Sequence, residues 1–264
     1  MARPLYIVDA FGNGPFTGNP AGVVVLNQEL DSNWMQDVAM EVNQAETAFV
    51  WPESDGRWGL RWFTPTIEVG LCGHATLAAA HALWESGQVA RQDPVRFTTQ
   101  AGELVCRAED GLVAMDFPSE EPNEADPPYD IAPLLGFDPV WMGKNDRMWV
   151  AMMSREQAVR TMRPDMAAVK TLGLVGLAVT AKADTEGFDF VSRFFAPQSG
   201  VPEDHATGSA HCALAPFWSQ KLDKTSMRAL QLSPRRGVVQ TELTDGRVIL
   251  KGTAVTAVQG SLNL

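Results

Sequence analysis

Apolar and polar positions along this 264-residue chain alternate in short runs of strand type, interrupted twice by stretches of another kind. Leu5 to Phe11 and Ala21 to Leu26 read as strands, separated by the turn signals Gly12-Asn13-Gly14-Pro15 and Gly18-Asn19-Pro20. Asp31 or Ser32 is placed to cap a helix running to about Asn43, with Trp34, Val38 and Val42 on one stripe. Glu46 to Trp51 is a strand that opens with an acid, and Arg57 to Phe63 returns as another. Val95 to Thr99, Glu103 to Ala108 and Leu112 to Phe117 form a meander in which Asp110-Gly111 is a hairpin turn. Leu71 to Leu83 is different: it is small and apolar nearly all round, the pattern of a helix buried on every side, and it ends near Gly87.

Taken alone, that stretch reads as a core helix with Gly73 and His74 as its cap residues. A second copy changes the reading. Gly208-Ser209-Ala210-His211-Cys212-Ala213-Leu214-Ala215 matches the helix that starts at Gly73, and both are preceded by a related strand end, Arg61-Trp62-Phe63-Thr64-Pro65 and Arg193-Phe194-Phe195-Ala196-Pro197. After each helix, Gly102 matches Gly237 and Asp110-Gly111 matches Asp245-Gly246 at the spacing of the two helix-opening glycines. Features repeated in the same order point to two related halves.

The rest of the second half follows the same scheme. Short helices are expected near Ile131 to Leu135 and Pro164 to Leu172. Strands are expected at Trp149 to Met152, Gly176 to Ala181, Phe188 to Phe195, Val238 to Leu243, Val248 to Lys251 and Ala254 to Leu264. Pro216 is placed to kink the second buried helix. Residues 118–128 are acidic, proline-rich and without apolar periodicity, so they read as a linker. The domain scheme is therefore 1–117, a linker over 118–128, and 129–264, with the last strand a candidate to pair with the first half. Hairpins around one helix in each half predict an α+β fold of two pseudo-symmetric domains, each a curled, mostly antiparallel sheet about a central helix. If both helices aim their N-termini at the junction, the site lies between the halves.

Composition narrows the function classes. A net charge of −11 argues against nucleic acid and anionic membrane surfaces as partners, but not against a small anion held at a helix N-terminus. Cys72, Cys106 and Cys212 make neither a disulfide framework nor a CxxC pair. No apolar run is long enough to span a bilayer and the N-terminus has no signal-peptide pattern, so the expectation is a cytoplasmic protein.

The repeat serves as an internal control, because positions where the halves differ are candidates for function. At the spacing of the pre-helix strands, Glu46 falls opposite Ala178. An acid entering an apolar strand suits a group that takes and returns a proton. His74 is matched by Ser209, each one residue after a helix-opening glycine, where side chains and backbone N–H groups can together hold a carboxylate or a developing enolate. Asp204 is an added acid before the second helix, a cap or a partner for a substrate amine. Cys72 raises the alternative of a thiol that racemises an α-carbon, since helix N-termini favour thiolates, but its counterpart is Thr207 and a second thiol is missing. A metal set of Asp204, His205 and His211 lacks the usual spacings, and no metal is expected.

These residues resemble the phenazine-biosynthesis isomerase family (PhzF-like), related to diaminopimelate epimerases and proline racemases. The resemblance rests jointly on Asp9-Ala10-Phe11, Gly18-Asn19-Pro20-Ala21, Glu46-Thr47-Ala48-Phe49-Val50, Arg61 to Pro65, Cys72-Gly73-His74-Ala75-Thr76 and Glu203 to His211. It implies a diaminopimelate-epimerase-like fold and a cofactor-free isomerase, commonly a homodimer, acting on a small carboxylate-bearing substrate. It also implies Glu46 as the acid/base, with the family's other site residues falling on His74, Asp204 and Ser209; the helix-start positions Gly73, Thr207 and Gly208 are further candidates for binding the substrate. His205 stands where the family pattern usually has proline. The expectation is an isomerase that shifts a proton through Glu46. The alternatives are a racemase, epimerase or dehydratase using Cys72, and a non-catalytic ligand-binding protein on the same scaffold.

Overall fold

The computed structural model of the protein describes residues 2–264. Its backbone divides into two compact units: the chain up to Asp116 together with Lys251–Leu264, and Phe117–Leu250.

The first unit contains β1 (Arg3–Ala10), β2 (Asn19–Val25), α1 (Ser32–Val42), β3 (Glu46–Pro52), β4 (Trp58–Phe63), β5 (Glu68–Val69), α2 (Gly73–Glu85), β6 (Val95–Thr99), β7 (Gly102–Glu109) and β8 (Leu112–Pro118). β1 and β2 are antiparallel, β2 and β3 parallel, β3 and β4 antiparallel, and β4 and β6 parallel. β6, β7 and β8 close the sheet as an antiparallel meander. Its last hairpin turns at Asp110 and Gly111, both with positive φ, as a two-residue turn between twisted strands requires. Asp31 caps α1 by accepting from the Asn33 N–H, and Asn43 ends it in the left-handed conformation. α2 packs on β1, β2 and β3 and is buried from His74 to Ala80, as an all-round apolar helix must be.

The second unit contains β9 (Asn123–Glu124), α3 (Ala132–Leu135), β10 (Trp141–Lys144), β11 (Met148–Met152), α4 (Glu156–Thr161), α5 (Met166–Thr171), β12 (Gly176–Lys182), β13 (Phe190–Ala196), β14 (Val201–Asp204), α6 (Gly208–Leu222), β15 (Ser226–Gln231), β16 (Gly237–Thr244) and β17 (Arg247–Gly252). A 3-10 turn at Pro197–Ser199 precedes β14. The pairing repeats that of the first unit. β10 and β11 are antiparallel, β11 and β12 parallel, β12 and β13 antiparallel, β13 and β15 parallel, and β15 and β16 antiparallel. The final strand, β18 (Ala254–Leu262), runs antiparallel to β1 and belongs to the first unit.

The strand registers correct one equivalence drawn from sequence spacing. Arg61 in β4 lies opposite Phe49, and Arg193 in β13 lies opposite Val179. Counting back along each strand, Glu46 therefore corresponds to Gly176, not to Ala178. The chain between the third strand and its partner is two residues longer in the second unit, which shifts the count.

One further difference concerns residues 118–128, and the surroundings of Pro216 add a detail to the second buried helix. Part of the acidic stretch is a strand: Asn123 and Glu124 pair with Lys144 and Gly143. α6 runs on through Pro216 to Leu222. A proline at this position removes the N–H that would bond the Cys212 carbonyl. The Glu120 N–H supplies that bond instead, at 3.1 Å. An unpaired buried carbonyl would cost about 1–3 kcal/mol, so this contact explains how the helix tolerates its proline.

Candidate active site

In the first unit, three sequence-predicted residues converge at the start of α2. β3 begins at Glu46, whose register partner is Ala21 in β2, so its carboxylate sits at a strand end. His74 is the second residue of α2 and is 4% exposed. Its Nε2 lies 3.3 Å from Glu46 Oε2. On the other side of the ring, Nδ1 lies 3.4 Å from Cys72 Sγ and 3.2 Å from Asn19 Nδ2. Asn19 was not singled out as a site residue from the sequence. The signal was present in a polar residue heading an apolar strand immediately after a glycine.

Cys72 is the N-cap of α2 with extended backbone, and its side chain makes no capping bond. Thr76 holds the Cys72 carbonyl through both its N–H, at 3.1 Å, and its hydroxyl, at 2.6 Å. With the thiol turned toward the imidazole, no cap side chain engages the first N–H groups of the helix, including that of Gly73. Such a terminus suits an anion.

The corresponding place in the second unit has different chemistry. Thr207 is the extended N-cap of α6 and likewise makes no capping bond. Its hydroxyl donates to Asp204 Oδ2 at 2.6 Å, and the His205 N–H donates to Asp204 Oδ1 at 2.9 Å. A proline at 205 would lack that N–H, so the His205 backbone gives the Asp204 carboxylate a donor that a proline would not. Gln231, fully buried and also missed from the sequence, ties this corner together. Its amide donates to the Asp204 carbonyl at 2.8 Å, and its oxygen accepts from the Thr207 N–H at 2.9 Å. Ser209 is half-buried in the first turn of α6, beside the buried Gly208.

Paired arginines brace both loops that lead to these helices. Arg61 Nε and Nη2 each donate to Glu68 at 2.7 Å. Arg193 Nε and Nη2 donate to Glu203 at 2.7 and 2.9 Å, and Arg193 Nη1 also donates to the Val159 and Met162 carbonyls. Glu203 is thus the structural counterpart of Glu68, and Asp204 is the acid without a matching one.

The remaining candidates are structural. His211 Nδ1 lies 2.8 Å from the Thr207 carbonyl, and burial pushes the ring's pKa down to about 4, so it is neutral. Burial raises the pKa of the Cys106 and Cys212 thiols, which keeps both protonated. Among the described residues, the group of donors close enough to be considered for a metal is Glu46, Cys72 and His74, whose ligand atoms lie within 4.8 Å of one another. Asp204, His205 and His211 do not form such a group. In the first trio, Glu46 faces one ring nitrogen of His74 and Cys72 the other, so the contacts run in series through the imidazole. That arrangement suits proton handling better than a shared ion.

The comparisons with known proteins agree with the fold and with the class of chemistry. Residues 8–260 match the family model described as phenazine biosynthesis-like protein (PhzC-PhzF). A Halalkalibacterium halodurans protein described as an uncharacterized isomerase is 43% identical over 265 residues, covering 100% of both chains. The crystal structure of an Enterococcus faecalis phenazine biosynthesis protein of the PhzF family superposes with a TM-score of 0.94 at 39% identity, again covering 100% of both chains. A hydroxyproline epimerase from Agrobacterium vitis shares the fold alone, with a TM-score of 0.65 at 11% identity, covering 99% of this chain and 92% of the other. The protein is therefore an isomerase on a diaminopimelate-epimerase-like fold. It belongs to the phenazine biosynthesis-like, or PhzF, family.

Proposed function

We propose that this isomerase moves a proton on a small carboxylate-bearing substrate by general acid/base catalysis through Glu46. The observation that carries the reading is the 3.3 Å approach of Glu46 Oε2 to His74 Nε2 at the start of α2. Glu46 takes the proton from a carbon made acidic by an adjacent carbonyl or conjugated system, and returns it to another carbon of the same substrate. The bonding changes are one C–H broken, one formed and a double bond displaced, so no redox partner is needed. His74 donates to the charge that develops on oxygen, with the first N–H groups of α2 in support. Asp204, Thr207, Gly208 and Ser209 are the second unit's candidates for binding the substrate's polar groups. The absence of a matching acid at Gly176 favours one carboxylate that gives and takes back the proton over two opposed bases.

The test is a comparison of Glu46→Gln with Ser209→Ala on whichever acid a panel of amino and unsaturated cyclic carboxylates shows to be turned over. Glu46→Gln should lower kcat by about 10²–10⁴-fold with binding retained, since that is what a general acid/base contributes. Ser209→Ala should act chiefly on KM. Full activity in Glu46→Gln would overturn the proposal.

A further inference from the structure

Building on the proton-transfer reading of Glu46, we propose that Asn19 is a positioning residue that sets the tautomer of His74 and so decides which neighbour of the imidazole is reactive. Asn19 heads β2, is fully buried, and pairs in register with Ala10. The turn before it leaves little choice of direction. Gly18 has φ +82°, and a Cβ there would run into the Ala10 carbonyl and the Gly12 backbone. The amide is therefore delivered into the interior by a backbone turn that only glycine makes without strain.

The Asn19 amide nitrogen has only hydrogens to offer, and it lies 3.2 Å from His74 Nδ1. That nitrogen must then present its lone pair. A neutral imidazole carries one proton, so the proton sits on Nε2, the atom 3.3 Å from Glu46 Oε2. The hydrogen bond from Asn19 behind the ring sets this tautomer, and it leaves the Nε2 proton on the side of the ring that approaches Glu46.

The same geometry disposes of the thiol. Cys72 Sγ lies 3.4 Å from Nδ1. A thiolate there would need an Nδ1–H donor, but the Asn19 contact leaves a lone pair. That nitrogen therefore offers a Cys72 thiolate no stabilising proton. The identity of residue 19 thus favours proton chemistry at Glu46 over nucleophilic or acid/base chemistry at Cys72.

The deciding experiment is two-bond 1H–15N correlation spectroscopy on 15N-histidine-labelled protein near neutral pH, with His74 assigned by the signals lost in His74→Gln. Wild-type Nε2 should resonate with protonated nitrogens and Nδ1 with unprotonated ones. Asn19→Asp replaces the donor by an acceptor of the same shape. It should move Nδ1 into the protonated region and lower kcat on the order of 10²-fold or more, as loss of the correct tautomer does elsewhere. Protonated Nδ1 in the neutral wild-type ring would overturn the inference, and so would an unchanged Nδ1 signal in Asn19→Asp. The wild-type spectrum decides the tautomer whether or not a variant folds. If the spectra are as expected but Glu46→Gln keeps full activity, the reading of Glu46 fails while the role of Asn19 stands.

Discussion

Glu46 and Gly176 hold the same place in the two copies of one strand, as the registers of Arg61 with Phe49 and Arg193 with Val179 establish. One position carries a carboxylate, and the other has no room for a side chain. A Cβ at Gly176 would lie 2.6 Å from the Phe195 carbonyl oxygen and 2.7 Å from the edge of the Phe194 ring. The asymmetry that makes a single-acid mechanism attractive is therefore built into the packing. Gly176→Ala should destabilise the protein by about 1–3 kcal/mol, the usual cost of overpacking, seen as a lower midpoint in urea. An unchanged midpoint would mean that the strand shifts freely, and the equivalence with Glu46 would lose its meaning.

The two arginine–glutamate pairs should not be equal. The Arg193 and Glu203 side chains are 7% and 16% exposed, against 15% and 25% for Arg61 and Glu68. Removing the acid from the more buried pair strands a guanidinium in a poorer environment. Glu203→Gln is expected to cost about 3 kcal/mol and Glu68→Gln clearly less, measured by chemical denaturation. Equal losses would contradict the burial argument.

Cys72 is the side chain on which the main alternative depends. If it only lies against the His74 ring, Cys72→Ala should lower isomerase activity by less than about tenfold, the scale of a modest contact. Alkylation by iodoacetamide at neutral pH should also be slow. A loss as deep as that of Glu46→Gln would restore the thiol mechanism.

The pH dependence of stability has a defined sign at His211. Its pKa is near 4 when folded, because burial disfavours the charged ring, against 6.5 for the exposed side chain. The unfolded chain therefore binds the extra proton between those values, and stability is fully present above pH 6.5 and falls as the pH drops toward 4. His211→Asn, which keeps a donor for the Thr207 carbonyl, should flatten that part of a plot of Tm against pH. A slope identical to wild type would assign the acid sensitivity to other groups.

Much of this was legible in the sequence because the strongest signals were local. Asp31 as a cap, Asp110-Gly111 as a turn and the all-round apolar face of α2 each follow from the physics of a few neighbouring residues. The duplication exposed Glu46, His74 and Asp204 as positions where the copies differ. Elements set by tertiary pairing were not legible: β15 gains its place from parallel pairing with β13, and α4 is held by contacts to Glu156 from the Asp184 and Thr185 N–H groups. Spacing also misplaced the counterpart of Glu46, since a count along the chain cannot see a two-residue difference between paired strands. Asn19 and Gln231 escaped for a related reason. A buried amide reads as a turn or surface residue until its partners are known.

The central claim is that Glu46 carries the proton. Wild type and Glu46→Gln, incubated in deuterated water with amino and unsaturated cyclic carboxylic acids and followed by NMR, test it most directly. The account predicts deuterium entering one or more carbons of a substrate with wild type, and exchange slower by about 10²–10⁴-fold with Glu46→Gln at unchanged Tm. Wild-type exchange that persists at full rate in Glu46→Gln would contradict it.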